Sequence, residues 1–431
     1  SENRKSSGWR KHINLTKSPE RGPSGSGKTS PALADKHQGQ YVSRCQSCRF
    51  AGRIKPNHRE ECMSRTHCQT PNAIEKLLAA SHCSVGFIGG SLTTGVGASN
   101  TARTSWRALF TAYLYEEYHR KYHCQVSEVM GAVGACESYV AAFTLNRNLL
   151  PAKPDLTFVE FCVNDNGAPD KELVRKGMEG IVRQLLAAKH QTDVIILGSG
   201  ACGGQIDHSI HRQVAAHYDL PFIDVQDYMM STLAARGETW EDASIDFVEN
   251  DAYHMNDYGN RLYFEAIKAA FETQLGHFEA GERKARKAPV PPPLFSAEFE
   301  NVATIDPAKT TRGVILEGDW EQKDAGHVPW YFDNLLVGQP GAKLTMTFTG
   351  TAVTVFGLMY NNGLKLEAVL DGEPVPGAYL RHTIEFGKGL VIAHGLELRE
   401  HVLELTVSAA SKRHNKLENP TAQIAFLGVA S

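Results

Sequence analysis

A chain of 431 residues, 42% apolar and 22% charged with a formal net charge of −3, has room for two or three hydrophobic cores. No run of eighteen apolar residues occurs, which excludes a membrane-spanning helix, and the polar start shows no apolar stretch of the signal-peptide kind. The chain begins with Ser, so an upstream segment and export stay open and the compartment is unassigned.

Residues 1–72 carry 14 Lys and Arg against 5 Asp and Glu, which leaves −12 for the remainder. A basic, Ser- and Gly-rich segment without apolar periodicity is expected to be poorly ordered, and neither a nucleic-acid nor a membrane partner is expected. Gly22 to Thr29 matches G-x-x-x-x-G-K-[ST]. A phosphate loop needs a buried strand before it and a helix after it, and neither context is present. Cys45, Cys48, Cys62 and Cys68 with His58 and His67 sketch a zinc knuckle, but the second cysteine pair is poorly spaced and unpaired thiols are expected. Nine cysteines, several in core-like strands, suit reduced thiols better than a disulfide framework.

Residues 73–278 alternate strand-like and helical segments. A helix over 72–80 leads into the apolar run Ser84-Val-Gly-Phe-Ile-Gly-Gly-Ser91. A helix over 105–118, strands over 125–130 and 156–163, and a helix over 172–188 come next. Strand 193–198, helix 208–217, strand 222–225 and helix 257–275 complete the series. Such alternation predicts a parallel sheet covered by helices on both faces. Residues 279–297, charged and then Pro-rich, read as a stiff linker. Over 298–431 the period becomes two, with strands at 344–348, 352–356, 364–370 and 401–407 and turns at Asn362-Gly363 and Asp371-Gly372. This segment is expected to be an all-β sandwich, jelly-roll-like.

Ser91 follows a Gly-bounded buried strand, at the end where open α/β sheets place their ligands. A nucleophilic serine needs a base, a group to orient that base, and donors for the oxyanion. His254 lies in a polar loop before the last helix, and Asp251 can fold back to accept from its Nδ1–H, leaving Nε2 for Ser91. Gly131-Ala-Val-Gly134 follows the second strand and can offer backbone N–H groups, while Asn164 ends the third strand with an amide to donate. The same residues also serve as tight turns and helix caps. Trp106 and Tyr253 flank these motifs and are assigned to the substrate cleft, although Trp106 equally suits a core. His208, His211 and His217 do not complete a metal-ligand set, and a solvated or partly packed helix is expected there.

Taken together, Ile-Gly-Gly-Ser91 with Gly95, Gly131-x-x-Gly134, Val-Asn164-Asp165 and Asp251-x-x-His254 resemble, in order and spacing, the four blocks of the SGNH (GDSL-type) hydrolases. Three features depart from that pattern: Gly90 replaces the usual Asp, Cys162 replaces a Gly, and the second block lacks its usual leading Asn. The resemblance implies a flavodoxin-like three-layer αβα domain with five parallel strands. It also implies an oxyanion hole from the Ser91 and Gly134 N–H groups and the Asn164 side chain, and no metal or organic cofactor. The absence of G-x-S-x-G argues against an α/β-hydrolase. Relatives that carry a sandwich resemble carbohydrate O-acetyl esterases, so the expected activity is serine-ester hydrolysis on a small-molecule or glycan ester. An acyltransferase on the same triad and a non-catalytic glycan-binding protein remain the alternatives.

Overall fold

The computed structural model describes residues 67–204, 206–245, 253–283, 289–310, 312–326, 332–409 and 419–431. The phosphate-loop pattern, Cys45, Cys48, Cys62, His58 and Asp251 lie outside them. The expected disorder of the basic tail does too, up to residue 66. His67 and Cys68 are described: Cys68 is buried, and His67 Nε2 lies 3.1 Å from Asp219.

Helix α1 (Pro71–Leu77) leads into β1 (His82–Gly89), and α2 (Ser91–Thr94) and α3 (Trp106–Leu114) connect it to β2 (Gln125–Met130). Helix α4 (Ser138–Ala141) precedes β3 (Leu156–Glu160), and α5 (Cys162–Gly167) and α6 (Lys171–Ala187) precede β4 (Asp193–Gly198). Helix α7 (Ser209–His217) reaches β5 (Phe222–Asp224), and α8 (Val225–Arg236) and α9 (Asp257–Glu279) follow. The five strands pair in parallel in the order β2-β1-β3-β4-β5. That order reverses direction between β1 and β3, so a crevice opens beyond their carboxyl ends, where doubly wound sheets bind ligands.

Alternating side chains of the sheet feed two cores. Phe87, Phe158 and Leu197 pack against α1, α3, α8 and α9 through Leu77, Phe110, Met229 and Phe271. Ile88, Val159 and Ile196 face the other way, onto α4, α6 and α7 through Val140, Ile181 and Val214. Strand β3 is buried throughout, which is why it reads as an unbroken apolar run. The strand expected over 156–163 is shorter than its apolar run: the chain turns at Phe161 (φ −138°, ψ 0°) into α5, whose Asp165 N–H returns to the Phe161 carbonyl at 2.8 Å. Asn164 therefore sits on a helical turn rather than on the strand.

The C-terminal strands are β6 (Val302–Ile305), β7 (Val314–Glu317), β8 (Trp320–Asp324), β9 (Asn334–Gly338), β10 (Lys343–Gly350) and β11 (Ala352–Met359). They continue with β12 (Lys365–Leu370), β13 (Glu373–Tyr379), β14 (Phe386–Ala393), β15 (Arg399–Val407) and β16 (Ala422–Ala430). One antiparallel sheet runs β13-β12-β15-β10-β7 and the other β14-β11-β16-β9-β8, with β6 on β16. Leu344, Leu366, Leu405, Val355 and Leu427 meet between them, forming a sandwich. Asp371 and Gly372 both take positive φ (52° and 87°) in the β12–β13 hairpin, the conformation its tight turn demands. Asn362-Gly363 joins β11 to β12, which lie in different sheets, so it is a crossover between sheets and not the expected hairpin turn.

The outer face of the β11–β16 sheet is not solvated. Phe356, Phe426 and Ala430 share one buried cluster with Val140, Phe143 and Ile181 of the α/β domain. The linker is bound as well: the buried Glu179 carboxylate on α6 accepts from the backbone N–H groups of Leu294, Phe295 and Ser296. Among the described residues, no helix is long and apolar enough to cross a membrane.

Candidate active site

Ser91 is the first residue of α2, immediately beyond β1. Two glycines make that placement possible. A Cβ on Gly89 would collide with Thr93, and one on Gly90 would collide with the Asn164 side-chain oxygen. A larger residue at position 90 would have to displace the Asn164 side chain. The Gly90 N–H donates to the Glu160 carbonyl (3.3 Å), and the Thr94 hydroxyl, Gly95 N–H and Val96 N–H all return to the Ser91 carbonyl at 2.9–3.1 Å. Gly95 closes the turn with φ +91°.

His254 comes from the loop before α9, and its Nε2 lies 2.7 Å from Ser91 Oγ. The hydroxyl donates in that bond when the ring proton sits on Nδ1. Several polar side chains hold the loop. Asn256 caps α9 by accepting from Gly259 N–H and donates to the Asp242 and Ser244 carbonyls. Asn260, which is buried, donates to the Met255 carbonyl and accepts from Trp106 N–H. Asp257 accepts from Ser99 and Thr104 at 2.5–2.7 Å, joining the His254 loop to the one that follows Ser91.

Beyond β2, the Gly131 N–H donates to the Phe87 carbonyl (2.8 Å) and the Val133 N–H to the Gly89 carbonyl (3.0 Å). Both extend the β1–β2 pairing, so Gly131 has no free donor for a ligand. The Gly134 N–H has no partner among the described residues, and a Cβ built there would meet nothing within 4 Å. Asn164 lies against Gly90 on α5. Its neighbour Asp165 accepts from Ser138 N–H at 2.9 Å, tying that helical turn to the segment after Gly134.

Beneath these residues lies a polar layer that sequence reasoning did not find. Glu160, fully enclosed at the end of β3, accepts from the hydroxyls of Thr93 (2.9 Å) and Ser199 (2.5 Å). Burial raises its carboxyl above the ordinary 4.5 against the pull of both hydroxyls. His211 on α7 is 2% exposed, with its Nε2 3.0 Å from Asp165 Oδ2, and the His208 ring bonds to the Ser199 carbonyl at 2.7 Å. The helix is partly packed, one of the two expected states: His211 on α7 and His208 just before it face inward toward carboxylate and carbonyl partners. His217 remains at the surface, bonded to the Pro292 carbonyl at 2.8 Å. A possible signal was Thr93, a hydroxyl two residues past the nucleophile with a lone Glu ending an apolar strand. Among the described residues, no group of three or more His, Cys, Asp or Glu could hold a metal ion.

Trp106 is not in the cleft. It is 1% exposed, packed edge-on to Phe87 (5.4 Å) and Phe158 (5.8 Å) and against Tyr263, and its indole N–H donates to the Leu92 carbonyl at 3.1 Å. The apolar stripe of α3 turns this ring into the core, which corrects its assignment to substrate. Tyr253, next to His254, is 42% exposed.

Residues 87–262 match the family model described as the GDSL-like Lipase/Acylhydrolase family. Among solved structures, a two-domain esterase (CEX) active on acetylated mannans, co-crystallised with mannopentaose, is similar over 85% of this chain and 97% of its own, at 16% identity and a TM-score of 0.70. A second structure of a two-domain esterase (CEX) active on acetylated mannans matches over 85% and 98%, also at 16% identity, with a TM-score of 0.71. Axe2, an acetylxylan esterase from Geobacillus stearothermophilus, is similar over 43% of this chain and 93% of its own, at 17% identity and a TM-score of 0.34. The first two share the arrangement of an α/β domain followed by a β domain. No curated protein matches the sequence. Residues 87–262 thus match the GDSL-like Lipase/Acylhydrolase family, and the chain shares the fold of the two-domain esterases, an SGNH-type α/β domain followed by a β-sandwich.

Proposed function

We propose that the protein removes O-acetyl groups from a carbohydrate through an acyl-enzyme on Ser91. The observation that carries this reading is the 2.7 Å approach of His254 Nε2 to Ser91 Oγ, made by residues 163 positions apart. His254 takes the hydroxyl proton as Oγ attacks the ester carbonyl, then gives it to the leaving sugar oxygen. Water, deprotonated by the same ring, attacks the acetyl-enzyme and releases acetate. Asp251 is assigned to orient the ring through Nδ1. The Ser91 N–H, the Gly134 N–H and the Asn164 amide are assigned to the oxyanion, supported by the uncommitted Gly134 N–H and by Asn164 lying against Gly90. Tyr253, exposed beside the base, is assigned to substrate contact. No cofactor is needed for this cycle.

The carbohydrate part of the proposal draws on CEX, whose described activity is on acetylated mannans and whose two-domain fold this chain shares. The test is acetate release from acetylated mannan, acetylated xylan and p-nitrophenyl acetate by the wild type and by Ser91→Ala. Rapid release from a polysaccharide that Ser91→Ala abolishes is expected. Turnover confined to long-chain acyl esters would remove the glycan assignment and leave the esterase.

A further inference from the structure

We propose that Lys388, on β14 of the sandwich, is a positioning residue for the turn that presents the Gly134 N–H to the reacting ester. The proposal rests on the reading of Gly134 as an oxyanion donor. Lys388 Nζ reaches out of its own domain and donates to the Ala135 carbonyl at 2.6 Å and to both Glu137 carboxylate oxygens at 2.7 and 2.6 Å. The ammonium thus grips the chain at the residue next to Gly134 and again two residues on. Lys388 and Glu137 are only 16% and 17% exposed, so water screens their contact weakly.

The gripped segment is one that local preferences do not secure. Ala135 holds φ +55°, a left-handed conformation that a residue with a Cβ seldom adopts without outside support. Upstream, the Val133 N–H is fixed to Gly89; downstream, the Ser138 N–H is fixed to Asp165. Between these anchors, Lys388 supplies the bonds from outside the domain that hold the Ala135 carbonyl and the Glu137 side chain.

Strand β14 is also held at the correct distance. A Cβ on Gly389 would collide with Val140 on α4, so the sandwich backbone lies directly on the helix that follows the turn. Val133, Ala135 and Cys136 line an apolar crevice with Phe332, Phe356 and Phe426, and Lys388 lies at its edge. The sandwich thereby belongs to the catalytic geometry itself, whatever it does toward glycan. Arg147, which bonds Asp333 at 2.6 Å and lies over Phe426, crosses the same junction without touching the turn and serves as the control.

The experiment compares kcat and KM of the full chain, on p-nitrophenyl acetate, for Lys388→Met, Lys388→Arg, Arg147→Met and Gly134→Pro, each with its melting temperature. Lys388→Met is expected to lower kcat by about ten- to a hundred-fold with KM within about two-fold, short of the 10²–10³ typical for losing an oxyanion donor outright. Lys388→Arg, which keeps the charge and donors, is expected to recover most of kcat. Arg147→Met is expected to lower the melting temperature comparably while leaving kcat intact. Wild-type kcat in Lys388→Met overturns the proposal. An equal fall in kcat in Arg147→Met also overturns it, because the sandwich would then act only as a general brace. Gly134→Pro removes the N–H; if it folds and keeps full kcat, the oxyanion reading of Gly134 is wrong and the proposal falls with it. If instead Gly134→Pro loses kcat and Lys388→Met does not, the reading stands and only the role of Lys388 is rejected.

Discussion

Gly97 lies so close to the Met255 carbonyl that a Cβ at position 97 would overlap it, and its φ of +97° is one that side chains avoid. The loop after the nucleophile and the loop holding the base thus touch backbone to backbone, one residue from His254. Gly97→Ala must push Met255 away or unwind the turn. The expected outcome is a fall in kcat of at least ten-fold and a longer Ser91–His254 separation in a crystal structure of the variant. Unchanged kcat would show that the two loops are not coupled in this way.

Asn164→Ala removes the proposed side-chain donor without disturbing Asp165, whose bond to Ser138 fixes the turn. A loss of about 10²–10³ in kcat is expected, with little change in KM, because the amide engages charge that develops only in the transition state. Steady-state kinetics on p-nitrophenyl acetate give the split, and a rise in KM alone would assign Asn164 to substrate binding instead.

Trp106→Ala should behave as a core deletion. The ring is enclosed by Phe87, Phe158 and Tyr263, and its removal is expected to cost about 3–5 kcal/mol of folding stability. Chemical denaturation measures that loss. A loss below 1 kcal/mol accompanied by a large rise in KM would return the residue to the cleft.

Glu160 makes stability depend on pH with a definite sign. Its carboxyl is held above the unfolded value of 4.5, chiefly by burial, so the native state keeps a proton that the unfolded chain releases. This contribution is fully present below pH 4.5 and is lost as pH rises through the folded value. Glu160→Gln, which has no proton to lose, should therefore gain on the wild type in unfolding free energy as pH rises through that window. Urea titrations of both proteins from pH 4 to 8 measure the difference, and a trend of opposite sign would mean the buried group is ionised.

The α/β elements were legible because most strands are apolar runs, the edge strand β2 excepted, and each amphipathic helix repeats near 3.6 residues. Strands 125–130 and 193–198 fall where the sequence places them. The sandwich was legible in part, and β11 was found at 352–356 although both its faces are buried. β10 and β12 alternate in burial and were found, whereas β16 is buried along nearly its whole length, and no alternating period marks it. Its second face is covered by Phe143 of the other domain, which lies against Gly428.

For the site, the local chemistry of a Gly-Gly-Ser turn and a polar loop before a helix named Ser91 and His254, because strand ends and turns write their needs into neighbouring residues. Their 2.7 Å meeting needed the reversal of strand order between β1 and β3 and the Asp257 and Asn260 ties, which connect residues more than 150 positions apart. Glu160 carries only the faint mark of a lone Glu ending an apolar strand, and nothing local marks the partners of His211 and Lys388. A buried carboxyl, an inward-turned imidazole and an ammonium reaching into another domain are defined by what surrounds them, and only the packing of distant segments supplies those surroundings.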